Sequence, residues 1–171
     1  MASEKDHSVK VIIVNKINDL DIYEEGWNTL LENCEEACPS QSYIWIKSFF
    51  RYILNDSKKW ICLFALNSKE EIVGIYPLIC QDKKVLLGFY YQNFQTPYHG
   101  LNTTRADGLI LENYEYVLEL FIEKIKETFN VFPIIHAIDI PGFSSSIRSS
   151  EKSNKRISFF PARNVRKIIL I

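Results

Sequence analysis

Apolar positions along the chain recur with two periods, and the changes from one period to the other mark out its elements. Residues 9–14 (VKVIIV) form a short β-branched run and predict an opening strand. Asp19 and Asp21 then offer N-cap oxygens, and Tyr23, Trp27, Leu30, Leu31 and Cys34 recur at helical spacing to about residue 36. Pro39-Ser40 stops this helix, and Ser40 or Ser42 can cap the next one over 41–54. There Ile46, Phe49, Phe50 and Ile53 make the inner stripe. Tyr43, Trp45 and Tyr52 extend it almost all round, so this helix is expected to be buried on more than one side.

Residues 60–66, 71–79 and 83–89 read as three strands, separated by the polar turn material Asn67-Ser68-Lys69 and Gln81-Asp82. They predict an antiparallel meander. An aromatic loop over 89–100 is expected next, then a short strand at 106–111. Val117, Leu118, Phe121, Ile125 and Phe129 line one side of a helix over 113–130, and 134–140 is a strand ended by Pro141-Gly142. Residues 144–156 hold six Ser and four basic residues with a single Ile, the composition of a mobile loop or linker. Strands at 156–160 and 165–171 close the chain, the last ending on four uncapped apolar residues. Helices around a mostly antiparallel sheet predict a mixed α/β (α+β) class, and 171 residues fit one domain, 1–171.

Composition narrows the function classes. Lys+Arg 20 against Asp+Glu 21 gives a net charge of -1, without the basic footprint of a nucleic-acid binder or of a polybasic membrane surface. The N-terminus is polar and no stretch approaches the ~18 apolar residues of a membrane span, so a cytoplasmic location is the expectation. Cys34, Cys38, Cys62 and Cys80 form no Cys-x-x-Cys pair and are expected as buried reduced thiols. No metal site is expected, since Cys34 and Cys38 have no neighbouring His.

Candidate chemistry gathers in the aromatic loop. His99 lies beside Tyr98 and eight residues before Asp107, where a carboxylate could orient a neutral imidazole as general base; the alternative is a loop histidine bonded to backbone. Five aromatics fall within 89–98, and Tyr90, Tyr91, Phe94 and Tyr98 could stack on a sugar, a base or an adenine, or simply fold over the sheet end. His136 alternates with Ile134 and Ile138 on a strand and reads as a sheet histidine. His7 belongs to the polar terminus.

Several segments, in order, resemble one family. They are Trp27 with Leu30-Leu31, Gln41-Ser42-x-x-Trp45, Ile72-Val73-Gly74-Ile75-Tyr76-Pro77-Leu78, Leu87-Gly88-Phe89, Asp107-Gly108-Leu109-Ile110 and Asp139-Ile140-Pro141. From about Val9 to Pro141 the chain resembles a GNAT-type N-acyltransferase module, specifically the N-terminal half of the CelD-like acyltransferases, relatives of the Fem-type peptidyltransferases. The resemblance implies a GNAT-like fold, an acyl-CoA or aminoacyl donor and an amine acceptor. It makes Asp139 a second catalytic candidate beside His99, either orienting a substrate amine or accepting turn N–H groups.

One departure stands out. The family holds pyrophosphate on an Arg/Gln-x-x-Gly-x-Gly/Ala loop opening a helix, where small residues let backbone N–H groups reach the anion. Gly26, Gly74, Gly88, Gly100, Gly108 and Gly142 include no such spacing. The expectation is therefore an acyltransferase-related half-module whose 157–171 strands begin an absent C-terminal module, binding a partner, a second copy or an acceptor substrate. The alternatives are an active N-acyltransferase with an unorthodox donor site and a carbohydrate- or peptide-binding module.

Overall fold

The computed structural model describes residues 9–35, 37–54, 59–84, 90–97, 108–129, 134–139, 157–162 and 165–170. For 83–84, 90–91 and the strands from 134 onward, the backbone alone is described. The strands are β1 (Lys10–Val14), β2 (Lys59–Leu66), β3 (Ile72–Lys84), β4 (Tyr90–Gln95), β5 (Leu109–Ile110), β6 (Ile134–Asp139), β7 (Ile157–Ala162) and β8 (Val165–Leu170). They form one sheet in the order β1-β2-β3-β4-β6-β8-β7, with β5 paired to β3. The helices are α1 (Ile17–Leu20), α2 (Glu24–Asn33), α3 (Tyr43–Ser48) and α4 (Tyr114–Phe129), so the mixed, mostly antiparallel class is observed.

The two faces of β2 and β3 are both covered, which is why these strands read as nearly unbroken apolar runs. Cys62, Phe64, Ile75 and Ile79 face α2 and α3 in a core that holds Leu20, Trp27, Leu30, Tyr43, Ile46, Phe49 and Phe50. Ile61, Leu63, Ala65, Tyr76, Leu78 and Cys80 face Val117, Leu118, Phe121 and Ile125 of α4, on the helix stripe read from the sequence. Phe121 stacks on Tyr76 with ring centroids 6.1 Å apart, and Phe129 meets Phe94 edge-on at 5.4 Å.

The meander is present, with different boundaries. Gln81-Asp82 is not a turn: β3 continues to Lys84 because Gln81 and Asp82 pair with Asn93 and Gln92 of β4, polar against polar, beyond the end of β2. Of the predicted strand 83–89, Lys83 and Lys84 end β3 and 85–89 lie outside the described residues, while β4 runs through part of what had read as an aromatic loop. At the chain end, β8 is enclosed by β6 and β7 on its two sides. β8 over Val165–Leu170 is therefore not an open edge. β1 and β7 are the outer strands.

The second helix departs from its predicted pattern. Ser42 caps α3, its hydroxyl accepting from Trp45 N at 3.4 Å. From Phe49 to Ile53 the coil widens to a π-turn, with Leu54 N donating to Phe49 O at 3.1 Å. The widened turn seats the adjacent Phe49 and Phe50 inward and carries Ile53 out to 47% exposure. Tyr52 is 76% exposed, so the helix is not buried on several sides.

Asp19 and Asp21 do not cap α1. Asp21 instead ties the first helices to α3: its Oδ1 accepts from Tyr43 OH at 2.7 Å and pairs with Lys47 Nζ at 2.8 Å. Lys47 and Tyr43 hold the Asp21 carboxyl below its ordinary value of 3.8. A carboxylate lowered in the folded state stabilises above its unfolded pKa, and that contribution fades as pH falls through the folded value. The Tm difference between wild type and Asp21→Asn is thus expected to be constant between about pH 5 and 7 and to shrink in acid, as pH falls through the lowered carboxyl value. Thermal melts across that range check it; a difference that persists in acid would break the link to Asp21 ionisation.

Candidate functional site

β4 and β6 run parallel, with Asn93↔Ile134, Phe94↔Ile135 and Gln95↔His136 in register. Every other pairing among the described strands is antiparallel. Parallel neighbours need a long crossover, and α4 lies in the connection between them. After Gln95 the chain leaves the ladder through Thr96 and Pro97, and proline has no N–H with which to extend it. β6 continues to Asp139, paired there with β8 through Ala137↔Ile168, Ile138↔Lys167 and Asp139↔Arg166. Among the described residues the pairing of the two strands ends at the carboxyl end of β4. Crevices at the carboxyl ends of parallel strands, where the topology reverses, are where open α/β sheets bind ligands.

β4 carries two carboxamide oxygens that are buried and lack hydrogen-bond partners, Gln92 Oε1 and Asn93 Oδ1. Asn93 as a whole is 4% exposed. Its neighbour across β3 is Gln81, and Gln95 stands opposite Ile79. Ile79 belongs to the core shared with α2 and α3, so Asn93, Gln81 and Gln95 share that side of the sheet. Phe94, between them, points to the α4 side.

The predicted site residues divide accordingly. Phe94 is fully buried against Phe129 and is a core ring, not part of an exposed platform. Tyr90 and Tyr91 lie on β4 opposite Lys84 and Lys83. Asp139 is the last residue of β6, opposite Arg166. His136 stands opposite Gln95, at the parallel seam. Tyr98, His99 and Asp107, like the 144–156 segment, lie outside the described residues. Sequence reasoning singled out the aromatics of this segment and passed over Gln92 and Asn93. The available signal was a pair of carboxamides between aromatic residues on a strand that proved to be internal.

Elsewhere the chemistry is sparse. Cys62 and Cys80 are buried as expected, but Cys34 and Cys38 are only half-buried. Burial, with Asp82 adding to it, pushes the Cys80 thiol up to about 12, and burial raises Cys62 as well, so neither is a thiolate nucleophile. Among the described residues no group of three or more His, Cys, Asp or Glu could hold a metal ion. No helix among them is long and apolar enough to cross a membrane. An open cavity of about 950 Å³ lies between α2 and the start of β3, lined by Glu25, Glu70, Glu71 and Glu112 with Lys10. The first turn of α4 carries Glu115 and follows β5 closely, Leu111 N donating to Val73 O at 3.1 Å.

No protein-family model matches the chain, and no curated protein matches it significantly in sequence. Solved structures do. The GNAT domain of S. lividans PAT superposes with a TM-score of 0.53 at 11% identity, covering 95% of this chain and 89% of that one. A spermidine N-acetyltransferase from Vibrio cholerae, solved with CoA and spermine, gives 0.47 at 10% identity over 95% and 94% of the two chains. The aminoglycoside 6'-N-acetyltransferase AAC(6')-Ih from Acinetobacter baumannii gives 0.44 at 8% identity over 91% and 99%. At such identities a superposition speaks to architecture, and the likeness to the S. lividans domain shows that this chain has the GNAT acetyltransferase fold.

Proposed function

We propose that the chain transfers an acyl group from a thioester, held where the pairing of β4 and β6 ends, to an amine on the α3 side of the sheet. The observation that carries this reading is the parallel seam, three pairs among the described residues, ending at Gln95↔His136. Beyond it β6 continues without a partner from β4 among the described residues, and the amides of a pantetheine arm are suited to pair with such an edge. In the reaction the amine nitrogen attacks the thioester carbonyl, the C–N bond forms, the C–S bond breaks and the thiol leaves. The amine's proton passes to a base, a part we assign to Asp139 at the end of β6, with His99 as its rival. Tyr90, Tyr91 and Tyr98 are the aromatic contacts of the acceptor in this reading. Within the fold, the order of Trp27, Gln41-Ser42-x-x-Trp45 and Asp139-x-Pro141 supports kinship with the CelD-like and Fem-type transferases.

The nucleotide end of CoA fits less well. Anions favour helix N-termini with free N–H groups and no competing negative charge. α4 opens with Glu115 and lacks the Gly-x-Gly spacing. The pantetheine arm therefore supplies most of the donor's affinity, and CoA and acetyl-pantetheine are expected to bind within about threefold of each other, under ~0.7 kcal/mol. Calorimetric titration of the full chain with CoA, acetyl-CoA and acetyl-pantetheine measures this. Silence with all three at millimolar concentration would end the transfer reading.

The same α4 feature favours a second reading, a GNAT-type half-module that binds an acceptor or a partner module without transferring. Acceptor binding with no donor heat would select it.

A further inference from the structure

We infer that the chain pairs with a second copy of itself, the π-turn after α3 on each copy seating in the acidic cavity beside α2 on the other. The inference is independent of acyl transfer. Its starting point is where large apolar side chains meet water. Six do so among the described residues: Ile22, Ile44, Tyr52, Ile53, Leu111 and Tyr116. Single exposed apolar residues are ordinary, whereas a gathering of them beside charged groups marks an interaction surface. Five of these six fall on two surfaces. Ile44, Tyr52 and Ile53 belong to α3 and its π-turn, and Ile22 and Leu111 line the open cavity between α2 and the start of β3.

The two surfaces match in charge and size. One α-turn followed by the wider π-turn spans about eight residues, which brings Tyr52 over Ile44 on one side of the helix. Residues 41–53 include Lys47 and Arg51 and no acidic residue. Lys47 is engaged with Asp21, so Arg51 is the charge the turn presents, its guanidinium 5.9 Å from the centre of the Tyr52 ring. In the cavity the carboxylates Glu25, Glu70, Glu71 and Glu112 stand against Lys10. Its volume of about 950 Å³ is at the upper end of pockets that take a whole small molecule, so side chains the size of Tyr52 and Ile53 enter it. An arginine beside a tyrosine is also the pairing that most often carries the energy of an interface. Both surfaces lie on one side of the sheet, since α2 and α3 share a core there and the Tyr43–Asp21 bond holds the turn bearing Ile22 against α3. A two-fold axis beside α2 therefore sets each π-turn at the other copy's cavity, a contact that closes on itself.

Sedimentation velocity of the full chain tests the pairing. Over about 5–500 µM, the range for a contact of modest area, wild type is expected to pass from monomer to dimer. Tyr52→Ser and Arg51→Glu are each expected to weaken the dimer at least about tenfold. Both side chains are exposed, so Tm is expected to stay within about 3 °C of wild type. The double variant Glu25→Lys with Glu112→Lys is expected to be monomeric as well. Mixed one to one with Arg51→Glu, it is expected to recover the dimer, since every π-turn then meets a cavity of opposite charge. Misfolding of either variant could not produce that recovery. A wild type that stays monomeric throughout, an undiminished dimer in Tyr52→Ser or Arg51→Glu, or a mixture that stays monomeric overturns the inference. Growth past the dimer into longer assemblies overturns it too, being the mark of a head-to-tail contact that does not close.

Discussion

Trp27→Ala is expected to lower the unfolding free energy by about 3–5 kcal/mol, the range for truncating a buried large aromatic. Trp27 is 1% exposed and sits edge-on to both Tyr43 and Phe64, with ring centroids 5.9 and 5.8 Å away. Its indole N–H also donates to the Gln41 carbonyl at 2.9 Å, across fourteen residues of chain. One side chain thus joins α2, the turn before α3, and β2. Two losses add in the alanine variant: a cavity beside the Tyr43 and Phe64 rings, and the indole hydrogen bond to Gln41. Trp27→Phe separates them, retaining most of the ring and costing about 1–3 kcal/mol, largely for the lost hydrogen bond. Urea denaturation followed by circular dichroism reads both, as midpoints shifted at unchanged slope. Equal losses for the two variants would mean that the hydrogen bond, not the ring, holds the helices to the sheet.

Gly108→Ala is the second large effect, expected at about 3 kcal/mol from overpacking. A Cβ at this position would stand 2.0 Å from Tyr76 Cδ2 and 2.8 Å from the Ile75 carbonyl oxygen. The backbone oxygen belongs to the sheet and cannot move aside. The Tyr76 ring is fully buried and stacked on Phe121, so it cannot swing away either. Gly108 is therefore the residue that lets β5 pair against Gly74 and Ile75 of β3. A double-mutant cycle with Tyr76→Leu should recover part of the loss, since neighbouring defects are not additive. Strict additivity would place the strain elsewhere. Gly26→Ala makes the control: its Cβ would meet Ile72 Cδ1 at 2.7 Å, the far end of a flexible side chain, and is expected to cost much less.

The fold was legible wherever a residue's environment could be reached from its own sequence window. The α4 stripe, the opening strand and the apolar runs of β2 and β3 were readable because burial on one or two faces writes a period into the chain. Gln81-Asp82 was misread because a polar pair marks a turn only when nothing polar stands opposite. Here Asn93 and Gln92 do, and those partners come from the far side of the hairpin. Ile53 was misplaced because a period of 3.6 presumes a regular helix, and the π-turn at Phe49–Ile53 breaks it. The site followed the same rule. An aromatic-rich stretch looked like a binding loop, whereas Phe94 became a core ring once α4 covered it. Asn93 showed its character only through its burial at the β4–β6 seam, a contact spanning about forty residues of sequence.

That seam has a consequence for how the molecule opens. Among the described residues, the β6–β8–β7 arm is knit by ladders of five and six residue pairs, whereas three pairs join it to β4. Two blocks share this suture, and closing it requires a long loop to be ordered first. Hydrogen exchange should therefore find the amides at Asn93–Gln95 and Ile134–His136 exchanging through a sub-global opening well below the free energy of global unfolding, ahead of β2 and β3. A ligand lodged across the suture would slow that opening. Occupancy would then be legible as a change in the protein's breathing, independently of any turnover.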